Sequence, residues 1–201
     1  MRELILKMSI SIDGFVATPD GGGQWMMASR DEKAAEWSAA AISEASLHIM
    51  GSRTFRVMAG YWPTASSVFA PPMNQIPKAV FSKQGASILQ EISATAATAA
   101  GDAPPAADSW AQAKVASGDL GEEIARLKAG HGKAIIAHGG ASFARSLVAL
   151  GVVDQYVLLV HPVALGQGLP LFIELPAPRA FELVSSTRFP RGTVAQIYRP
   201  T

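Results

Sequence analysis

The chain has 201 residues, of which 49% are hydrophobic and 16% are charged, and its formal net charge is +1. This composition excludes global disorder, and the near-neutral charge gives no support for sequence-independent nucleic-acid binding. No apolar run approaches the roughly 18 residues that a membrane span needs, and the absence of cysteine excludes disulfides and thiolate metal sites.

The sequence begins MRELILKMSI, which lacks the basic leader, apolar block and cleavage site of a secretory signal. We therefore expect a cytoplasmic protein that forms one domain over residues 1–201. No two histidines and an acid stand at metal-binding spacing, so we expect no metal, and we expect neither nucleic acid nor a membrane as a partner.

The amino-terminal segment predicts a strand, a glycine-rich loop and a helix. Residues 4–12 alternate and then fill with apolar side chains, as in a central strand, and residues 15–17 continue it briefly. Three glycines and a proline in residues 18–23 predict a mobile loop. A helix is expected over about residues 31–45, with Ser29 as its N-cap and Asp31 in its first turn.

Two further strands are predicted over residues 47–50 and 78–81, and each ends in hydroxyl and cationic side chains. The first is followed by Gly51, Ser52, Arg53 and Thr54, and the second by Ser82 and Lys83. Ligands of open α/β sheets bind beyond the carboxyl ends of the strands, so these groups predict contacts with phosphate. The alternative is a solvated arginine beside an ordinary helix cap.

Residues 84–108 are rich in alanine and threonine and include Pro104 and Pro105. This composition predicts a flexible insertion that is helical over residues 87–97. A short strand over residues 113–116 and an amphipathic helix over residues 120–129 follow it.

The segment 134–150 reads as a buried strand, a glycine turn and a helix. The turn and the first helical residues are Gly139, Gly140, Ala141, Ser142 and Phe143. Paired glycines let a ligand approach the backbone, and the amides of a helix start attract phosphate. An ordinary tight turn is the alternative.

A long strand over residues 154–163, a glycine-punctuated loop and two alternating strands over residues 180–189 and 193–199 complete the chain. The order of elements predicts an α/β fold with a mixed, mostly parallel central sheet flanked by helices and an antiparallel C-terminal hairpin. His138 and His161 lie on apolar strands, so we expect both to be hydrogen-bonded core residues. We expect Trp25 to anchor the glycine loop, and the alternative is that Trp25 and Trp62 line the pocket of a flat aromatic substrate.

Five segments occur in an order that resembles a known family. They are SISIDGFVA from Ser9, IMGSRTF from Ile49, VFSK from Val80, IIAHGGASFARSL from Ile135 and HPVALGQGLPLF from His161. Together they resemble the family that unites dihydrofolate reductase with the C-terminal reductase domain of bifunctional riboflavin biosynthesis proteins. The last segment is more similar to the riboflavin-type and stand-alone branch.

The resemblance implies an NADPH cofactor and a set of residues that bind it. Arg53 and Thr54, after Gly51 and Ser52, match the turn that meets the cofactor's phosphates, and Ser82 and Lys83 match the strand end near the adenosine 2′-phosphate, which favours NADPH over NADH. Val16 and Ala17 match the strand end that contacts the nicotinamide carboxamide. Residues 139–143 match the segment under the nicotinamide, and the family joins the two glycines by a cis peptide.

The resemblance also implies candidate catalytic residues. Asp13 matches the aspartate near the substrate's sugar in the riboflavin-type branch, and either Asp13 or Asp31 could assist protonation. A simple Asp-Gly turn is the alternative for Asp13. Dihydrofolate reductase relies on a buried carboxylate in the helix after the loop, but counting from Trp25 reaches Arg30 or Asp31, and counting back from Gly51 reaches Ala35 or Glu36.

The resemblance therefore implies an NADPH-dependent reductase that transfers hydride to the pyrimidine ribosylamine 5-amino-6-(5-phosphoribosylamino)uracil or to a related small molecule. Dihydrofolate or another pteridine is the alternative substrate, and a non-catalytic NADPH-binding module is the alternative of a different class. We also expect a homodimer built from strands 154–163 and 193–199.

Overall fold

The computed structural model describes residues 1–91 and 108–201. These residues form two compact units, one made of Met1–Arg2 and Ala39–Ile136 and the other of Glu3–Ser38 and Ala137–Thr201. The expectation of a single domain stays a prediction. Most of the predicted insertion lies outside the described residues, and within it residues 87–91 are helical as expected.

The strands are β1 (Leu4–Ser11), β2 (Phe15–Ala17), β3 (Leu47–Gly51), β4 (Lys78–Phe81), β5 (Lys114–Ala116), β6 (Ile135–His138), β7 (Gln155–His161), β8 (Leu169–Pro170), β9 (Phe181–Arg188) and β10 (Val194–Pro200). The helices are α1 (Glu32–Ser43), α2 (Ser52–Tyr61), α3 (Ala70–Gln75), α4 (Asp108–Ala111), α5 (Leu120–Ala129) and α6 (Ala141–Ala149), with 3-10 turns at Gln24–Ser29 and Trp62–Thr64. The mixed, mostly parallel sheet and its antiparallel C-terminal hairpin confirm the predicted fold class.

In the first unit the strand order is β5-β4-β3-β6. β3 and β4 run parallel, and their register sets Gly51 beside Phe81, so both strands end at the same edge. Ile49 and Val80 are fully buried, as expected of strands covered on both faces. Phe55 of α2 packs beside Trp110 of α4 with ring centroids 5.7 Å apart, and both rings are buried in this core.

In the second unit the strand order is β1-β7-β10-β9. β1 pairs with β7 in parallel, whereas β10 is antiparallel to both β7 and β9. Ala34 and Trp37 of α1 pack against Phe189 and Ala195, which covers one face of this part of the sheet. A separate two-stranded antiparallel sheet joins β2 to β8.

Three local expectations differ from the structure. The N-cap of α1 is Asp31 and not Ser29, because the Asp31 carboxylate accepts a hydrogen bond from the Ala34 amide. α3 was not predicted, and its prolines Pro71 and Pro72 both lie in the first turn, where proline is tolerated. α4, a single turn, was not predicted either.

Candidate active site

The carboxyl ends of β3 and β4 bring two predicted phosphate-binding groups together in the first unit. Because Gly51 pairs with Phe81, the first turn of α2 with Ser52, Arg53 and Thr54 lies beside the turn at Ser82 and Lys83. Arg53 and Lys83 are exposed, and none of the acidic side chains that the structure describes forms an ion pair with either. These two cations are thus available to an anionic ligand.

Arg56 and Ser82 have partners within the protein. The Arg56 guanidinium pairs with Glu91 at 2.8 Å. The Ser82 hydroxyl is buried and accepts a hydrogen bond from the Gln84 amide at 3.2 Å. Ser82 therefore shapes the turn that presents Lys83.

Two helices start in a way that suits an anion. α2 begins after Gly51 and α6 after Gly140, and no side chain caps either helix. Gly140 adopts a φ of 95°, which favours glycine. Helix starts of this kind bind phosphate through their amides and dipole. The peptide bonds of the described residues include no cis bond, so the expected cis link between Gly139 and Gly140 is wrong.

Asp13 lies in the turn after β1, and its carboxylate binds a neighbouring loop. The Ser11 hydroxyl donates to it at 2.6 Å, and the amides of Leu165 and Gly166 donate at 3.0 and 2.7 Å. The Ser11 hydrogen bond is the main reason that the pKa of Asp13 is lowered. Asp13 is therefore ionised near neutral pH and accepts hydrogen bonds, and a direct role in catalysis stays a prediction.

Asp31 is buried and also serves backbone amides. One oxygen accepts from Ala34 at 3.1 Å, and the other accepts from the amide of Arg191, in the turn between β9 and β10, at 2.7 Å. The Arg191 amide is the largest cause of the lowered pKa of Asp31. This carboxylate links the start of α1 to the C-terminal hairpin, and its predicted catalytic role is likewise untested.

Lys7 is a candidate functional residue that the sequence analysis missed. It lies in the middle of β1, on the face that also presents Ser9 and Ser11. Burial lowers the pKa of its ammonium group to about 8, and no carboxylate among the described residues pairs with it. The available signal was a single charged residue inside an otherwise uncharged strand, LILKMSIS.

His161 ends β7 beside Ser11 of β1. Its Nδ1 forms a 2.7 Å hydrogen bond with the hydroxyl of Ser29, whereas its Nε2 is buried without a hydrogen-bond partner. Burial is the main cause of its lowered pKa, and the nearby Lys7 contributes. The expectation of a hydrogen-bonded core histidine thus holds for one ring nitrogen only.

The predicted nicotinamide contacts lie in the second unit. Val16 and Ala17 of β2 are buried, and β2 is held by its antiparallel pairing with β8. Gly139 has room for a side chain, since a Cβ there would lie 3.5 Å from the end of Met8. Ala141, Ser142 and Phe143 form the first turn of α6.

A cavity of about 910 Å³ in the first unit lies away from these groups. Its lining includes Lys78, the first residue of β4, whose amine bonds Ser109 at 2.7 Å. Ligands of open α/β sheets bind at carboxyl ends of strands, so this cavity at the amino end of β4 is not our cofactor candidate. Within residues 1–91 and 108–201 no cluster of potential metal ligands occurs, and no helix is long and apolar enough to cross a membrane.

The strand order defines an α/β protein with a dihydrofolate reductase-like fold. Dihydrofolate reductase from Enterococcus faecalis, complexed with NADP(H), shares the fold with a TM-score of 0.61 at 12% identity, covering 99% of this chain and 96% of its own. The deaminase/5-amino-6-(5-phosphoribosylamino)uracil reductase from Thermotoga maritima gives a TM-score of 0.64 at 16% identity, covering 100% and 57% of the two chains.

The chain belongs to the RibD C-terminal domain family, which matches residues 2–195. This is a family of riboflavin-pathway-type reductases, and the membership confirms the resemblance found in the sequence. A relative is the uncharacterized protein YyaP of Bacillus subtilis (strain 168), which is 26% identical over 200 residues, 98% of this chain and 94% of YyaP.

Proposed function

We propose that this protein is an NADPH-dependent reductase that delivers hydride to 5-amino-6-(5-phosphoribosylamino)uracil or to a related small molecule. Family membership supports the reaction class. The observation that carries the cofactor proposal is the pairing of β3 with β4, which sets the unpaired cations Arg53 and Lys83 at adjacent strand ends. A ligand with several phosphates fits this arrangement.

In the first unit, the start of α2 would hold the cofactor's other phosphates, and Arg53 and Lys83 together would contact the adenosine 2′-phosphate. In the second unit, the proposed contacts are the backbone of Val16 and Ala17 and the first turn of α6 after Gly140. NADPH, when bound, supplies the hydride. The protein's own contribution is to bind, to orient and to deliver a proton.

Lys7 is our candidate for the proton donor. A pKa of about 8 keeps most of its ammonium groups protonated at pH 7 and still makes proton release easy, which is what general acid catalysis requires. Asp13 and Asp31 are ionised and bound by backbone amides, so we propose that they position the loop at Gly166 and the start of α1 and do not donate the proton.

The test of the cofactor proposal compares Arg53→Ala with Arg56→Ala. The first variant removes an unpaired cation, and the second removes one that pairs with Glu91. We expect Arg53→Ala to raise the Kd of NADPH about tenfold or more and that of NADH much less, measured by nicotinamide fluorescence. Equal weakening of both cofactors would contradict a contact with the 2′-phosphate, and equal effects of both variants would contradict the assignment to Arg53.

Assays of NADPH oxidation distinguish the riboflavin-type reductase from a pteridine reductase and from a non-catalytic NADPH-binding module. Oxidation of NADPH with the pyrimidine ribosylamine supports the proposal, whereas oxidation with dihydrofolate alone would support a pteridine reductase. The hydrogen bonds that the Asp31 carboxylate makes to two amides favour the first outcome, because they leave less of that carboxylate for a pteridine. Binding of NADPH without turnover of either substrate would support a non-catalytic module.

The cytoplasm stays the predicted location of the protein. We further propose that the enzyme is a homodimer. One face of the second unit carries a cavity of about 350 Å³ lined mostly by apolar and aromatic side chains, among them Leu158, Phe181 and Tyr198. The same unit exposes the apolar side chains of Leu183 and Val184, and exposed apolar surface is typical of an interface between subunits.

A further inference from the structure

A long-range hydrogen bond joins helix α6 to the short strand β8 of the second unit. Nε of Arg145, in the second turn of α6, donates to the carbonyl oxygen of Pro170 at 2.7 Å. The Arg145 side chain is half-buried, and the bond itself is partly buried. A charged donor forms a stronger hydrogen bond than a neutral one, and partial burial limits competition from water. This bond therefore fixes the position of β8 relative to α6.

Strand β8 in turn holds β2. The two strands pair antiparallel, and the amide of Leu171 donates to the carbonyl oxygen of Gly14 at 3.3 Å. β2 has three residues and β8 has two, so the sheet that they form has few hydrogen bonds of its own. A two-stranded sheet that stands alone is marginally stable at best in water. Contacts from outside the sheet must therefore fix its position, and the Arg145 side chain supplies one.

The two elements that Arg145 joins carry the two parts of the proposed nicotinamide site. One part is the first turn of α6 after Gly140, and the other is the backbone of Val16 and Ala17 in β2. Hydride transfer depends on the distance between the reacting carbons, and a misplacement of about 1 Å can cost a factor of about 10² in rate. A contact that sets the distance between these two parts is therefore important for catalysis without touching the reacting atoms.

Arg179 makes a comparable hydrogen bond on the same helix without a link to β2. Its Nη1 donates to the carbonyl oxygen of Val148, in the last turn of α6, at 2.8 Å. A cation at this end stabilises a helix through its dipole. Arg179 lies just before β9 and not in β8, so the two arginines separate support of α6 from support of β2.

We propose that Arg145 is a positioning residue for the nicotinamide half of the cofactor. Its hydrogen bond to Pro170 holds β8, and through β8 the backbone of β2, at a fixed distance from the start of α6. The inference rests on the proposed function for the identity of the ligand. The link between α6 and β8 can nevertheless be measured in the free protein.

The first experiment compares amide hydrogen exchange in the free native protein, Arg145→Met and Arg179→Met. Methionine keeps an unbranched apolar stem and removes the guanidinium group. We expect Arg145→Met to speed exchange of the Leu171 amide about tenfold, as the loss of one charge-assisted hydrogen bond implies, and to leave β9 and β10 unchanged. Arg179→Met is the matched control and should leave the exchange of the Leu171 amide at the native rate.

The second experiment measures the Kd of NADPH and the Kd of 2′,5′-ADP, which carries the 2′-phosphate and lacks the nicotinamide. Arg145→Met should raise the Kd of NADPH about tenfold and leave that of 2′,5′-ADP unchanged, because the proposed contacts of the 2′-phosphate lie in the first unit. Arg145→Lys keeps a cationic donor and should restore most of the affinity for NADPH. Arg179→Met should leave the Kd of both ligands unchanged.

The outcomes separate the positioning role from the proposed function. If the native protein does not bind NADPH, the proposed function is overturned, and faster exchange confined to Arg145→Met still supports the link between α6 and β8. If NADPH binds but the Leu171 amide exchanges equally in the native protein and Arg145→Met, the positioning role is overturned and the cofactor proposal stands.

A general loss of stability gives a different pattern. Arg145→Met would then weaken NADPH and 2′,5′-ADP equally, or Arg179→Met would have the same effects as Arg145→Met, and either result overturns the positioning role. If Arg145→Met does not fold, Arg145→Gln, whose side chain is shorter and uncharged, takes its place. Native affinity for NADPH in that variant, together with native exchange of the Leu171 amide, also overturns the proposal.

Discussion

Asp13, in the turn after β1, accepts hydrogen bonds from the loop at Leu165 and Gly166, and the strength of these hydrogen bonds depends on pH. The Ser11 hydroxyl and two amides bind the ionised carboxylate, which lowers its pKa in the folded state. A carboxylate with a depressed folded pKa stabilises the protein above its unfolded pKa, and that contribution is lost as the pH falls through the folded value.

We therefore expect Asp13→Asn to lower the free energy of unfolding at pH 7, because the amide offers one acceptor oxygen and presents an NH₂ group to the donors. The difference from the native protein should shrink as the pH falls below about 4. Urea unfolding of both proteins at several pH values measures this difference in the free energy of unfolding. Unchanged stability together with lost turnover would instead make Asp13 a direct catalytic group.

Lys7 should set the alkaline limb of the activity profile. If its ammonium donates the proton, activity falls as the pH rises through about 8 and the donor is lost. Lys7→Met should reduce kcat by about 10²–10⁴-fold and abolish this limb, whereas Lys33→Met, which removes an exposed partner of Glu36, should do neither. An unchanged pH profile in Lys7→Met would exclude Lys7 as the donor.

At the scale of elements, the small sheet of β2 and β8 depends on a glycine. A Cβ at Gly168 would lie 2.4 Å from the carbonyl oxygen of Ala17, closer than these atoms can approach, and 3.1 Å from the side chain of Phe15, which is a tight contact. Gly168 thus lets the loop before β8 pass over the strand that carries Val16 and Ala17.

Gly168→Ala should cost about 1–3 kcal/mol of unfolding free energy, since the clash must be relieved by moving backbone. It should also weaken NADPH binding by displacing β2. Gly60→Ala is the matched control, because Gly60 lies in α2 with open space around its Cα, and alanine there should stabilise by about 0.5–1 kcal/mol. Urea unfolding and NADPH titration of both variants measure these effects. If Gly168→Ala and Gly60→Ala have the same free energy of unfolding, the expected clash between the added Cβ and the Ala17 carbonyl oxygen is contradicted.

At the scale of the whole molecule, β9 is a surface on which a second copy can pack. Every residue of this strand after Phe181 is exposed, and Leu183 retains 51% of its accessible surface. A long exposed edge strand with apolar side chains promotes association. It lies in the same unit as the apolar cavity that Phe181 and Tyr198 line.

We expect the native protein to be a dimer by native mass spectrometry and Leu183→Glu to dissociate it, because a buried unpaired carboxylate is costly. Val57→Glu is the control, since Val57 is an exposed apolar residue of α2 and should leave the dimer intact. A monomeric native protein would contradict the proposal for β9, and so would a Leu183→Glu variant that stays dimeric.

The sequence by itself determined the elements that local pattern encodes. β4 and α5 were predicted with their observed bounds, because an apolar run and an amphipathic repeat were each bordered by turn residues. The ordered segments around Asp13, Arg53 and Gly140 were enough to place the chain in its family. Because the sequence predicted a mostly parallel sheet, it also predicted that the strands ending at Gly51 and Phe81 finish at the same edge.

Only the tertiary structure decided what the polar side chains do. The hydrogen bonds of Ser29 with His161, of Asp13 with Gly166 and of Asp31 with Arg191 join residues 132, 153 and 160 positions apart. Local periodicity reports which side chains are buried, but it carries no information about partners so distant. The pairing of β1 with β7 places Ser11 beside His161, and burial within this sheet lowers the pKa of Lys7.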